Sequence, residues 1–272
     1  MKLSDIKFVK DYIYMANEGY LRRWHERNGG NFSYRIAPEE VAEILPFLHE
    51  PRATTSIDVD IPELKNEYFL VTGTGRFMGN VIRDPEYNIG IVKIDETGKN
   101  YSILWGFRDG GKPTSELPTH LLNHNIKKKQ TNGQYRVIYH AHPTNTIALS
   151  FALPLEDKTF SHILWEMMTE CPIVFPQGVG VVPWMVPGGR EIALETGKLM
   201  PQYDVIIWAH HGVFCAGENF DTTFGLMDTV EKAAEICIKV LSIGGIKQTI
   251  SDQNFRDLAE AFNTNLNEEF LK

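Results

Sequence analysis

His140 and His142 stand one residue apart in the stretch Tyr139-His140-Ala141-His142-Pro143-Thr144-Asn145, a spacing with which two imidazoles can hold one metal ion. The residues before them, YRVIYH, are β-branched and aromatic and predict a strand. On a strand, residues two apart point to the same side, so the two rings converge on one spot. Pro143 disfavours α backbone at His142 and keeps that residue extended. In a chain with nine histidines the pair alone is a weak signal, and a third ligand is required. Two sets of residues compete to supply it. Glu116, His120 and His124 are four apart on one face of a helix predicted over 115–129. The pair His210-His211 ends the predicted strand DVIIWAHH. Neighbours on a strand face opposite sides, so at most one of that pair joins a site, and His211 shares its face with Ala209, Ile207 and Val205. Parity alone does not choose between the two sets.

Other residues offer anion chemistry. Gly29-Gly30, flanked by Asn28 and Asn31, and Gly73-Thr74-Gly75 read either as tight turns or as places where backbone N–H groups approach an anion closely. Thr114 and Ser115 stand at the start of the 115–129 helix, where an anion is favoured. Glu116, taken locally, is a carboxylate in the first turn of that helix. Glu170 ends a helix predicted over 159–170, a poor place for a carboxylate by the helix dipole.

The elements that must position these groups alternate along the chain. An amphipathic helix is predicted from about Ser4 to Trp24, followed by strands at FSYRI, YFLVTG, IGIVKID and YSILWG, the last two joined by a DETGK hairpin turn. The stretch from Pro38 to Pro62 reads as connection. Further helices are expected at 144–152, 190–199 and 221–242. The pattern predicts a single three-layer α/β domain over 1–272, with a mixed central sheet and helices on both faces.

Composition excludes several classes of function. The 272 residues are 43% apolar, enough for a substantial core without disulfides or structural metal. Cys171, Cys215 and Cys237 have neither disulfide nor zinc-finger spacing. The net charge of −8 argues against nucleic acid as a partner, and the basic run Lys127-Lys128-Lys129 is expected to be a solvated helix terminus. The N-terminus is too charged for a signal peptide and no apolar run reaches the roughly 18 residues of a membrane span, so a cytoplasmic setting is expected.

A resemblance adds to this. The runs ERNGGN, VTGTGRF, ILWGFRDGGKPTSELPTH, HAH, TECPIVFPQGVGVVPWMVPG, HGVF and TFGLMDTVEKAAEICIKV resemble the class II aldolase family, whose members include fuculose-phosphate aldolase and ribulose-phosphate epimerase. The likeness extends from Trp24 to about Ile250, with the segments in the same order. HAH, the later HG and the upstream SEL glutamate mark the superfamily; VVPWMVPG is most similar to the branch that acts on rhamnulose 1-phosphate.

The resemblance implies that His140, His142 and His211 bind one catalytic Zn²⁺ per subunit and that Glu116 lies against it as base and occasional ligand. His120 and His124 then become supporting or helix-surface residues, and His210 a packing or hydrogen-bonding residue across its strand. Asn28, Gly30, Asn31, Gly73, Thr74, Gly75, Thr114 and Ser115 would converge on the phosphate of a small sugar phosphate. Glu170 would handle the C4 hydroxyl proton, entering from the next subunit of a homotetramer. The implied activity is that of a lyase: retro-aldol cleavage to dihydroxyacetone phosphate and L-lactaldehyde in rhamnose breakdown. Another zinc-dependent aldolase or epimerase of the superfamily is the alternative. A non-catalytic adducin-like module would lack the full metal constellation, whereas all of its members are present here.

Overall fold

The structure, a computed structural model, describes residues 2–271. Nine strands form one sheet: β1 (Asn31–Arg35), β2 (Arg52–Ser56), β3 (Tyr68–Thr72), β4 (Ile89–Ile94), β5 (Asn100–Gly106), β6 (Val137–Ala141), β7 (Gly180–Val182), β8 (Val205–Trp208) and β9 (Gly212–Gly217). Their order across the sheet is β2-β5-β4-β3-β1-β6-β9-β8-β7. Every pairing is antiparallel except β7 with β8, so the sheet is mixed, as expected. The helices are α1 (Lys7–Leu21), α2 (Pro38–Ile44), α3 (Pro85–Asn88), α4 (Leu117–Gln130), α5 (Thr144–Leu149), α6 (Asp157–Met167), α7 (Cys171–Val174), α8 (Arg190–Leu199), α9 (Phe220–Ser242) and α10 (Asp252–Phe262).

Alternation along the strands divides the apolar side chains between two cores. Phe32, Tyr34 and Leu70 pack with Tyr12 and Met15 of α1 and with Met227 and Val230 of α9. Phe69 and Val71, on the opposite face, pack with Leu117 and Leu121 of α4 and Ala193 of α8. Helices therefore cover both faces. No helix among the described residues is long and apolar enough to cross a membrane.

Several boundaries differ from expectation. The stretch 38–62 is not mere connection: it holds α2 and the polar edge strand β2, whose ladder with β5 is bulged between Arg52 and Thr55. The expected helix over 159–170 stops at Met167. Glu170 is therefore not at a helix C-terminus; it is the exposed residue preceding α7. DVIIWAHH is a strand only to Trp208, because His210 adopts a left-handed backbone (φ +62°) in the turn to β9. The basic run is not a solvated terminus either. Lys127 is buried with its ammonium 2.6 Å from Asp204, and Lys128 pairs with Glu67; only Lys129 is exposed.

One register matters most for chemistry. β1 lies antiparallel to β6 with Asn31 opposite His140 and Ser33 opposite Ile138. Side chains directly across a ladder share a face. Asn31, Ser33 and His140 thus all point towards α4, while Phe32 and Tyr139 point into the other core.

Candidate metal centre and active site

His140 is fully buried near the end of β6, stacked on Phe214 of β9 at 4.3 Å between ring centroids. Its Nδ1 lies 3.1 Å from the carbonyl oxygen of Val213. A carbonyl only accepts, so Nδ1 carries the hydrogen and Nε2 presents a lone pair. His142 has left the strand; its backbone N–H donates to the carbonyl of Trp24 at 2.9 Å. Its Nδ1 sits 2.7 Å from a carboxylate oxygen of Glu26, which again puts the hydrogen on Nδ1 and leaves Nε2 free to coordinate. The two Nε2 atoms face each other 3.3 Å apart. Two lone pairs so opposed repel unless a cation lies between them.

His211 completes the group. Its ring centroid is 5.0 Å from those of both His140 and His142, and ligand atoms of the three rings lie within 4.8 Å of one another. Strand parity does not place it. The β8–β9 turn does: the backbone N–H of His211 donates to the carbonyl of Trp208 at 3.1 Å, and left-handed His210 reverses the chain. Burial holds the His140 imidazole well below the usual histidine range and brings His211 down to about 4, each helped by the neighbouring His142. Neutral imidazoles are the form that binds metal, so these three residues suit a divalent ion.

Glu116 stands just before α4 and does not cap it: no helix N–H reaches its side chain. Its Oε2 lies 3.6 Å from Nε2 of His140 and accepts a hydrogen bond from Asn31 Nδ2 at 2.7 Å. Burial pushes its carboxyl up to about 7, against the opposing effect of the Asn31 bond. A group balanced there can give or take a proton at neutral pH.

The Gly29-Gly30 loop is built close against the histidine cluster. Gly30 has φ +71°, and a Cβ there would meet His25 and the His140 carbonyl; one at Gly29 would meet Glu26 and His142. His25 secures the loop, with Nδ1 3.1 Å from the Gly29 carbonyl and Nε2 2.8 Å from the Tyr139 hydroxyl. Asn28 is exposed at its tip. Asn31 is not an open donor for an anion, because its amide is shared between Glu116 and His120. The Gly73–Gly75 loop is joined to the segment before α4: Gly73 bridges Pro113, Thr74 N donates to Lys112, and Thr114 N donates to Thr72. Thr74, Thr114, Ser115, Lys112 and Tyr101 line a cleft of about 480 Å³. Gly75 turns the loop there at φ +68°.

Other expected residues are elsewhere. His120 and His124 are wholly buried on α4 and bound to Ser33 of β1, so neither joins the metal cluster. The nitrogen Nδ1 of His210 is 3.1 Å from Ser150 Oγ, and its ring lies tilted against Phe151. Glu170 makes no hydrogen bond or ion pair with the triad or Glu116 within this chain. Glu26 was not anticipated; a carboxylate three residues before the glycine pair was its only trace in the sequence.

The fold, the three converging histidines and the buried glutamate meet in one place, and residues 10–238 match the family model described as class II aldolase and adducin N-terminal domain. The chain belongs to this family. Among the curated class II aldolases it resembles is a rhamnulose-1-phosphate aldolase of Mannheimia succiniciproducens, 48% identical over 255 residues and 94% of each chain. One from Klebsiella pneumoniae is 44% identical over 261 residues, 96% of this chain and 95% of that one. Among solved class II aldolase structures, a sugar-phosphate aldolase from Thermotoga maritima superposes with a TM-score of 0.73 at 32% identity, covering 87% of this chain and 96% of that one.

Proposed function

We propose that this class II aldolase is an aldehyde-lyase that cleaves L-rhamnulose 1-phosphate to dihydroxyacetone phosphate and L-lactaldehyde. The observation that carries the reading is the trio of inward-facing imidazoles with the buried Glu116 carboxyl beside it. The similarity to relatives named for that substrate selects it among sugar phosphates.

The metal we assign to His140, His142 and His211 is zinc, one per chain. Two nitrogen ligands about 2.0–2.1 Å from a tetrahedral zinc stand about 3.3–3.4 Å apart, which is the Nε2 separation of His140 and His142. When bound, the ion supplies Lewis acidity that polarises the substrate ketone and favours negative charge on its oxygens.

The chain's own groups perform the rest. Cleavage breaks the C3–C4 bond after loss of the C4 hydroxyl proton; the electron pair moves into the C2 carbonyl and the C4 fragment leaves as the aldehyde. Glu116, in its acid form, then delivers a proton to C3, and in synthesis it removes that proton. Thr74, Thr114 and Ser115, on the cleft between the glycine loop and the start of α4, are assigned to the phosphate, with the backbone of Gly30, Gly73 and Gly75 and the Asn28 amide as further donors. Incubating the zinc-loaded protein with L-rhamnulose 1-phosphate should release dihydroxyacetone phosphate. Turnover of a different sugar phosphate, with none of this one, would assign the site to another member of the family.

The C4 proton is assigned to Glu170 of a neighbouring copy in a cytoplasmic homotetramer. Its exposure supports this, because a carboxylate on the surface of one chain is available to a site on the next. Mixing inactive Glu170→Ala and Glu116→Ala chains should restore part of the activity. Hybrid assemblies as inactive as their parents would end this assignment and leave the metal chemistry untouched.

A further inference from the structure

Behind Glu116 lies a file of polar side chains that the reaction as described does not use. His120 lies one turn along α4 from Glu116 and is fully buried. Its Nε2 is hydrogen-bonded to Asn31 Oδ1, and its Nδ1 is 2.8 Å from Ser33 Oγ. Ser33 Oγ is in turn 2.8 Å from Nε2 of His124.

The hydrogens in this file have one self-consistent arrangement. Asn31 Oδ1 is a carbonyl oxygen and only accepts, so the hydrogen of His120 is on Nε2. His120 Nδ1 is then a lone pair and accepts from the Ser33 hydroxyl. Ser33, its hydrogen spent, accepts from Nε2–H of His124. The remaining nitrogen, His124 Nδ1, is buried without a partner. In this arrangement it is a bare acceptor rather than an orphaned N–H, which buried structures tolerate less well. Both imidazoles must be neutral, as their burial requires. Donation thus runs one way, from His124 through Ser33, His120 and Asn31 to Oε2 of Glu116.

The opposite orientation of Asn31 would set its carbonyl oxygen 2.7 Å from an oxygen of the Glu116 carboxylate and, by reversing every donor behind it, would leave His124 Nδ1 a buried N–H without a partner. An amide does not relay protons, so the file orients groups and conducts nothing. Its register is built into the fold: Asn31 and Ser33 share the sheet face under α4, and His120 and His124 are one turn apart above them.

We propose that His120 is a positioning residue for the reaction: by donating to Asn31 it fixes the amide so that Nδ2 holds Glu116 Oε2 in place beside His140, and Ser33 and His124 lock the ring in the required tautomer. This rests on the reading of Glu116 as the proton-transfer group. Two measurements test it. The first is ¹⁵N NMR of the imidazoles in the metal-free protein, where His120 and His124 should both be in the Nε2–H form. A His120 in the Nδ1–H form would overturn the proposal whatever the kinetics.

The second compares His120→Gln with His120→Asn in the zinc-loaded enzyme. Glutamine places an amide donor near the position of Nε2, and asparagine places one near Nδ1. His120→Asn should lower kcat between about tenfold and a hundredfold with KM and zinc content unchanged, because misplacing a reacting group costs rate rather than binding. His120→Gln should recover most of that loss. Equal kcat in the two variants, whether high or low, would reduce His120 to a packing residue. Glu116→Gln serves as control: if that variant keeps its turnover, the reading of Glu116 fails, whereas an inactive Glu116→Gln beside a fully active His120→Asn refutes the positioning role alone.

Discussion

The face of the sheet that carries Asn31 and Ser33 holds two histidine clusters, both in contact with Phe214, and they differ in where their nitrogens point. In the His140–His142–His211 cluster, each Nδ1 with a partner donates it to a carbonyl or carboxylate, and two Nε2 lone pairs are left face to face. In the His120–His124 cluster, Ser33 and Asn31 engage both nitrogens of one ring and one nitrogen of the other. Residue type is alike, and His140 is as fully buried as His120 and His124. What separates a ligand set from a scaffold is whether the protein itself answers the lone pairs.

The comparison is broken most sharply by removing ligands. His140→Ala, His142→Ala and His211→Ala should each abolish metal binding and turnover, since a methyl group offers no electron pair. His124→Ala and His210→Ala should retain about one metal ion per chain. Metal analysis with the two outcomes exchanged would move the site to the α4 cluster.

Glu116→Gln should lower turnover by at least about a hundredfold while the metal stays bound, because the amide keeps the shape but transfers no proton. Turnover close to that of the unaltered protein would make Glu116 a buried spectator.

A smaller effect is expected at Glu26, which sets the tautomer of His142 from outside the cluster. Glu26→Ala should weaken metal affinity between about tenfold and a hundredfold, as loss of such an outer partner commonly does. Competition with a chelator measures this, and unchanged affinity would mean that His142 needs no fixed tautomer.

The smallest effect concerns pH and the closed cluster. Burial brings His120 down to about 3, whereas the same residue in the unfolded chain titrates near 6.5. As pH falls below that value the unfolded state binds a proton that the folded state refuses, so folded stability declines. His120→Gln has no such proton to bind. Its Tm should therefore rise relative to that of the unaltered metal-free protein as pH is lowered from 7 towards about 4. A difference that does not change with pH would show that His120 is not held neutral.

Much of this site was legible without coordinates because its signals are local. The β-branched run before His140 specifies the strand β6, and His142, one residue past its end, is near enough in the chain to meet His140. The glycine pairs mark places of close backbone approach, and the structure puts Gly29, Gly30 and Gly73 in such places, whereas Gly75 turns in open space. Other elements carried no local signal. β9 (GVFCAG) is buried on both faces and has no alternation to read, and β2 (RATTS) is a polar edge held by β5 alone. Lys127 reads as a solvated charge until Asp204, remote in the chain, is brought beside it.

The sequence by itself determined which side chains have ligand and proton-transfer chemistry, and which strand and helix carry them, since composition and periodicity act over a few residues. Local pattern left the two histidine sets open and the family resemblance favoured His211; the tertiary structure supports that choice by bringing His140, His142 and His211 together. That choice rests on three long-range placements: the β8–β9 turn that swings His211 inward, the β1–β6 register that sets Asn31 opposite His140, and the docking of α4 that closes His120 and His124 onto Ser33. A lone pair is a ligand or a structural acceptor according to what lies within about 3 Å of it. That neighbour is supplied by chain segments up to about a hundred residues away, which no local pattern can specify.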